Sequence, residues 1–348
     1  STLLASSAAS DVYKRQDKHQ GEYVGGSFKP VEPDGKPDGG NDNIHWGNYE
    51  NNIMLGARSA MMDSMLAWLD NAAHGFERTQ ALRNGEEEGA WVKTYGGKLK
   101  YEGTSEFDNS YWAVQFGYDR KLANGWNVGA AVDYRQGDGS YILGGEGDTD
   151  LYSFGVYGTK TFADNSYVDI NVKAGRSENE YTVYNSSGIA VDGDYAGRGY
   201  SVSAQYGKRI ENGNSYLEPQ LQLTWAHVNG DKYDAHCGNA VMNIDQDAFD
   251  SLVGRVGIEA GQVSKHGNVF ARLSLNHEFA GDVDGSYCAK DGGRKTTSFD
   301  VAGTWSELTL GGNYNLSKCS NFYADITKTL SGDYKQDWKL NAGFSFTF

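Results

Sequence analysis

From about residue 89 to the carboxyl end, apolar and polar side chains alternate with a period of two. Leu217, Pro219, Leu221, Leu223 and Trp225 stand on one parity, with Tyr216, Glu218, Gln220, Gln222 and Thr224 on the other. Val269, Ala271, Leu273, Leu275 and Phe279 alternate in the same way with Phe270, Arg272, Ser274, Asn276 and Glu278. At the end of the chain Trp338, Leu340, Ala342, Phe344, Phe346 and Phe348 oppose Lys339, Asn341, Gly343, Ser345 and Thr347. Successive side chains of a strand point to opposite faces, so each segment is a ribbon with one apolar and one polar side. An aromatic edge left bare in water invites aggregation. The same ribbon is stable with its Phe side in hydrocarbon and its Lys and Asn side on a wet interior.

Twelve such strands are predicted, each near the 9–11 residues that a tilted membrane strand needs. Among them are Gly125–Gln136, Asp150–Phe162, Ser166–Ser177 and Arg198–Ile210. Short connections rich in Asn, Asp, Gly or Ser, such as Ala123-Asn124, Ala163–Asn165, Glu211–Asn214, Ser264–Gly267 and Ser317–Ser320, alternate with others that are mostly long and polar. The long ones include Glu178–Gly197, Asn229–Ala248 and Gly281–Thr297. A soluble sandwich has no reason to sort its loops by length, whereas a membrane barrel puts turns at one end and loops at the other. The fold class expected is therefore all-β: a 12-stranded antiparallel up-and-down transmembrane β-barrel.

One segment breaks the period. Ile53, Met54, Ala57, Ala60, Met61, Ser64, Met65, Trp68 and Leu69 recur at helical spacing, and His74-Gly75 divides the run in two. A core helix of an α+β domain would read alike, but a helix inside a barrel suits the chain that follows. Three domains result: 1–46, a passenger remnant, scar and flexible linker; 47–83, a linker helix through the barrel lumen; and 84–348, the barrel. Pro30, Pro33 and Pro37 with their Asp and Gly neighbours make the linker extended and solvated. The chain opens at Ser1 with neither Met nor a charged-then-apolar signal, which suggests a fragment of a longer precursor, and Ser1–Gln16 reads as a scar.

Composition narrows the picture further. Forty-six Gly and 23 Tyr beside 4 Pro suit closely packed, twisted β ribbons. No run of 18 apolar residues is present, which excludes a helical membrane protein but not a barrel. A net charge of −15 argues against a nucleic-acid partner.

Gly89-Ala90-Trp91-Val92-Lys93-Thr94-Tyr95-Gly96-Gly97 resembles the first barrel strand of the autotransporter translocator domain of type V secretion. Phe116-Gly117-Tyr118-Asp119 with the turn Ala123-Asn124-Gly125 is similar to that family's second hairpin. Gly155-Val156-Tyr157-Gly158 and Tyr216-Leu217-Glu218-Pro219-Gln220 add to the likeness, which covers about Asn84 to Phe348. The run Asn341, Gly343, Phe346 and Phe348 resembles the C-terminal signal read by the outer-membrane barrel assembly machinery.

The resemblance implies a bacterial outer-membrane translocator whose lumen holds a helix leading to an N-terminal passenger. Its external loops would lie at the cell surface. Its partners would be outer-membrane lipid, the assembly machinery and its own passenger, and the barrel would be monomeric. Twelve strands enclose a space between a side-chain-filled interior and an open channel, about one helix wide. The inward face would supply the charges that hold it: Asp133, Arg135, Asp169, Lys173, Glu218, Arg255, Glu259, Arg272, Glu278 and Asp325. For any one of them, plain hydration of the lumen is the simpler reading.

Catalytic and metal chemistry leave little trace. The seven His lack HxxxH or HExxH spacing, and no G-x-S-x-G or P-loop occurs. No cofactor or metal is expected. An outer-membrane protease or lipase, using His227 or His277, is the alternative reading, and a soluble β adhesin a third. In the resembled family some members cut themselves at an Asn-Asn pair, which makes Asn51-Asn52 a candidate beside simple helix capping. Cys237 and Cys288 fall in loops of one end, in an oxidising compartment, and form a candidate disulfide; Cys319 is left over.

Overall fold

The computed structural model describes residues 21–24, 27–30 and 52–346, except 87, 104, 186, 187, 238, 239, 290–293 and 318. Two helices, α1 (Asn52–Ala73) and α2 (Phe76–Arg83), precede a closed antiparallel barrel. Its strands are β1 (Ala90–Tyr101), β2 (Phe107–Lys121), β3 (Asn127–Tyr141), β4 (Glu146–Thr161), β5 (Ser166–Tyr184) and β6 (Ala190–Lys208, continued by Ile210–Asn212). They are followed by β7 (Ser215–Val228), β8 (Phe249–Ser264), β9 (Gly267–Glu278), β10 (Gly303–Ser317), β11 (Ser320–Ser331) and β12 (Tyr334–Phe346). Each strand pairs with the next. The ring closes where β12 meets β1, from Phe346 opposite Ala90 to Tyr334 opposite Tyr101, with a register shift between Gln336 and Trp338. Gly21–Val24 and Ser27–Pro30 form a separate two-stranded hairpin.

The alternation expected from the sequence sets the two faces of the wall. Leu221, Val256, Val269 and Leu273 point outward and are half or more exposed, whereas their neighbours Gln220, Glu259, Asn268 and Ser274 are buried inside. An apolar surface this continuous on a water-soluble monomer would be anomalous. As the lipid side of a membrane barrel it is what the solvent demands.

The structure departs from the expected loops. Residues read as long polar connections are mostly paired strand: β5 and β6 run to Tyr184 and from Ala190, pairing throughout. Residues 229–248 hold a hairpin, Asp231–Cys237 with Ala240–Gln246, and residues 281–297 contribute to a second, Asp282–Ala289 with Arg294–Asp300. The two hairpins join edge to edge from Met242–Ala289 to Gln246–Gly285. The reason lies in the outward face above the apolar belt. There Asp138, Asp148, Glu180 and Asp194 stand opposite one another on β3 to β6, and carboxylates are depleted in ordinary strands.

Inside, the abundance of Gly and Tyr has a steric basis. The ring of Tyr157 lies over Gly129 of the neighbouring strand, Tyr167 over Gly207 and Tyr216 over Gly261. A Cβ on Gly129 or Gly261 would stand 2.4 Å from the ring, and one on Gly207 2.5 Å. Large inward rings therefore fold flat against the wall and leave the axis free for a helix.

Candidate functional site

The lumen is filled by α1 and α2. Ala, Met and Leu give α1 high intrinsic helicity, and every residue from Gly56 to Ala72 is buried. A helix buried on all sides must be enclosed by its surroundings. Its 22 residues span about 33 Å, the depth of a bilayer's apolar core.

Near the loop end α1 sits in an apolar collar. Gly56 lies against Val183, and Met54 and Ala57 share a cluster with Tyr195, Ile244, Tyr287 and Phe299. The Tyr195 hydroxyl donates to the carbonyl of Ala60 at 3.1 Å, and Arg58 donates to Ser105 and to Thr297. Halfway down, Trp68 lies across two glycines, where a Cβ on Gly199 or Gly175 would stand 2.3 or 2.7 Å from the indole. Asp63 accepts from Asn109 at 2.8 Å and Asp70 from Gln336 at 2.9 Å, with Lys339 at 3.4 Å.

The break between the helices is close-fitted as well. His74 stacks on Tyr95 with centroids 4.0 Å apart and lies 3.1 Å from Glu77, which pairs with Lys93. At Gly75 a Cβ would come within 2.1 Å of the Asn171 amide, which also reaches the His74 carbonyl.

Toward the turn end, α2 is fastened by three side chains pointing to different parts of the wall. Arg78 donates twice to Asp119 of β2, at 2.6 and 2.9 Å, and once to Glu86 at 2.8 Å. Asp119 also accepts from Tyr157 and from the Gly89 amide, so its oxygens are fully engaged. Gln80 donates to both oxygens of Glu259 and accepts from Arg272 at 2.6 Å. Arg83 pairs with Asp169 and lies 3.6 Å over the Tyr167 ring. Glu218 stands behind it, holding Tyr167 and Arg209, each at 2.7 Å. Buried charges are expensive unless paired and hydrogen-bonded, and these are both.

The ten charged residues expected on the inner wall divide into two groups. Asp169, Glu259 and Arg272 engage α2 as described, Glu218 reaches Arg83 at 3.9 Å, and Lys173 donates to the Asn71 carbonyl at 2.8 Å. The others brace the wall itself. Asp133 accepts from Ser153, Arg135 stacks on Tyr111, and Arg255 donates to Gln205. Glu278 accepts from Ser251 and the Leu252 amide, and Asp325 from Tyr323 and Asn341. Sequence reasoning missed Asp119 of β2 as an anchor, and also Arg78, Gln80 and Arg83, although the types and spacing of these three on the last helical turns were visible.

Of the C-terminal signal residues, Asn341 faces inward and Phe346 outward, its ring 4.3 Å from Phe344, while Gly343 lies against Lys93 of β1. Phe348 and Asn51 lie outside the described residues. Asn52 begins α1, and Asp63, the next carboxylate along the helix, is about 16 Å further on. Cys237, Cys288 and Cys319 form no disulfide among the described residues. Cys237 stands opposite Ala240 and Cys288 opposite Asn243, two strands and three residues apart. That separation is roughly 14 Å by strand spacing, twice what a disulfide spans. His227 pairs with Asp250 and His277 with Thr304, both on the outward face.

Comparisons with known proteins agree with this geometry. Residues 90–327 match the model of the autotransporter beta-domain. The pertactin autotransporter of Bordetella parapertussis is 26% identical over 272 residues, covering 76% of this chain and 29% of that protein. A probable autotransporter of Escherichia coli, YcgV, is 29% identical over 286 residues, covering 78% and 29%. The chain thus spans less than a third of the length of these curated relatives. Among solved structures, the translocator domain of NalP from Neisseria meningitidis superposes with a TM-score of 0.66 at 16% identity, covering 82% of this chain and 98% of that one. The β domain of the Bordetella autotransporter BrkA gives 0.60 at 23%, covering 75% and 99%. The chain belongs to the autotransporter β-domain family, and its closed barrel with an enclosed helix is the translocator fold of that family.

Proposed function

We propose that this chain inserts into the bacterial outer membrane as a monomeric barrel and holds its N-terminal passenger at the cell surface. The observation that carries the reading is the enclosed helix. Its amino end opens at the loop end of the barrel, and its carboxyl end is fastened by Arg78, Gln80 and Arg83 near the turns. Whatever precedes Asn52 is thereby delivered to the loop side. In this reading the turns face the periplasm and the extended hairpins face outward. The ribbon ending Asn341, Gly343, Phe346 and Phe348 is what the assembly machinery recognises, and Asp169, Lys173, Glu218, Glu259 and Arg272 grip the helix. The barrel performs no catalysis: His227 and His277 face lipid or its border, away from the lumen. Asn51-Asn52 stays uncut, because the buried carboxylates that hold the helix begin at Asp63, far from that bond.

Two measurements test this. With an outer-membrane signal supplied, an epitope placed within residues 31–40 should be reached by antibody on intact cells; a heat-modifiable barrel with an inaccessible epitope refutes the export reading. Mass spectrometry of the inserted chain should find one species of 38.0 kDa plus the additions. A break after Asn51 would overturn the uncut helix.

A further inference from the structure

On the outer wall above the apolar belt, Arg176 of β5 and Arg198 of β6 stand directly opposite each other and are both exposed. Like charges placed opposite on a sheet repel. Another cationic pair in that position, Lys100 with Lys335, is neutralised: Lys100 lies 3.2 Å from both Asp108 and Asp337, and Lys335 pairs with Glu102. Among the described residues Arg176 pairs only with Glu178, at 3.1 Å, and Arg198 forms no ion pair.

The pair marks a boundary. Beside it on the same row are Tyr152 and Tyr134, rings tilted against one another at 5.1 Å. One step toward the barrel's middle the outward residues are Phe154, Ala174 and Tyr200, then Val172 and Val202. One step the other way are Asp150 and Glu178, followed by the carboxylate row of Asp138, Asp148, Glu180 and Asp194. The arginines are thus a positive step between an apolar slope and an acidic rim.

We infer that Arg176 and Arg198 together hold the phosphate of a phosphorylated lipid of the outer leaflet. Two guanidinium forks at cross-strand spacing suit one tetrahedral anion, which arginine binds with paired charge-assisted hydrogen bonds. A phosphate between them removes their repulsion. The acidic rows above turn the anion away from the solvent side, while Phe154, Tyr200, Val172 and Val202 offer acyl chains a path downward. That arrangement selects an amphiphile over free phosphate.

The inference rests on the outer-membrane reading, and the test separates the two. The refolded chain in zwitterionic detergent is doped with a bisphosphorylated diglucosamine lipid, and retained lipid is read by native mass spectrometry. Wild type should keep one lipid. Arg176→Ala with Arg198→Ala should cut the retained fraction about tenfold or more, and the corresponding Gln pair should do the same. Lys100→Ala with Lys335→Ala should leave it unchanged. The dephosphorylated lipid should not be retained, and millimolar inorganic phosphate should not displace the phosphorylated one. Equal retention by the arginine variants, equal loss in the lysine variant, or displacement by inorganic phosphate each overturns the assignment. A chain without a heat-modifiable band fails the barrel reading, whereas a folded barrel that retains no lipid fails only this one.

Discussion

Replacing Asp119 by Asn should free α2 from the wall while leaving the barrel closed. Asp119 takes two hydrogen bonds from Arg78, one from the Tyr157 hydroxyl and one from the Gly89 amide, all within 3.0 Å and out of solvent. Breaking a buried ion pair by removing one partner costs about 3–5 kcal/mol. Arg78 keeps Glu86 at 2.8 Å, so the lower end applies, about 3 kcal/mol, or roughly a hundredfold in the docked-to-undocked ratio. Amide hydrogen exchange on the refolded chain reads that ratio directly. Protection of Phe76–Arg83 should fall by about that factor, while β5 to β9 keep theirs. Arg78→Met should fall similarly, and the double variant by less than the sum, since the partners share one interaction. Unchanged protection in α2, or an equal loss in the strands, would refute the idea that this carboxylate fastens the helix.

Trp68→Ala should loosen α1 by about 3–5 kcal/mol, because Gly175 and Gly199 have no side chains with which to fill the space; exchange over residues 60–72 measures it. Gly75→Ala should destabilise the helix break by collision with Asn171, and Asn171→Ala in the same chain should recover most of the loss, as judged by the thermal unfolding midpoint. The unfolded, unreduced chain should take up three maleimide labels, one per Cys; uptake of one label would reveal a bridge. Asp148, above the apolar belt, has its carboxyl raised by burial and by its hydrogen bond with Asp138. A raised carboxyl stabilises the fold below its unfolded value and loses that contribution as pH climbs through the folded one. Exchange protection at residues 138–148 should therefore fall as pH rises, and Asp148→Asn should flatten the dependence.

Period-two alternation made the barrel legible, because lipid outside and water inside enforce opposite chemistry on successive residues. Leu217 to Trp225 and Val269 to Phe279 carry that signal with almost no interruption. The helix was equally plain from Ile53 to Leu69, where the period changes. The loop end was not legible, because Asp138, Asp148, Glu180 and Asp194 read as solvated loop in composition while their backbones pair as strand. The anchors escaped for a different reason. A charged residue on an inward parity can brace its neighbour, as Glu278 does, or reach across to the helix, as Asp169 does, and only the third dimension separates the two. Cys237 and Cys288 show the same limit: sharing one end of a barrel brings two residues near, and register decides whether they meet.

The seat of α2 is gathered from strands far apart in the chain. Arg83 waits for Asp169, 86 residues on; Gln80 waits for Glu259, 179 residues on; and Arg272 follows at a separation of 192. While the early strands are being laid down only Arg78 has its partner, Asp119 of β2, and the rest of the seat is still missing. Full locking of the helix therefore waits for β5, β8 and β9 to join the wall, which makes it a late event of folding.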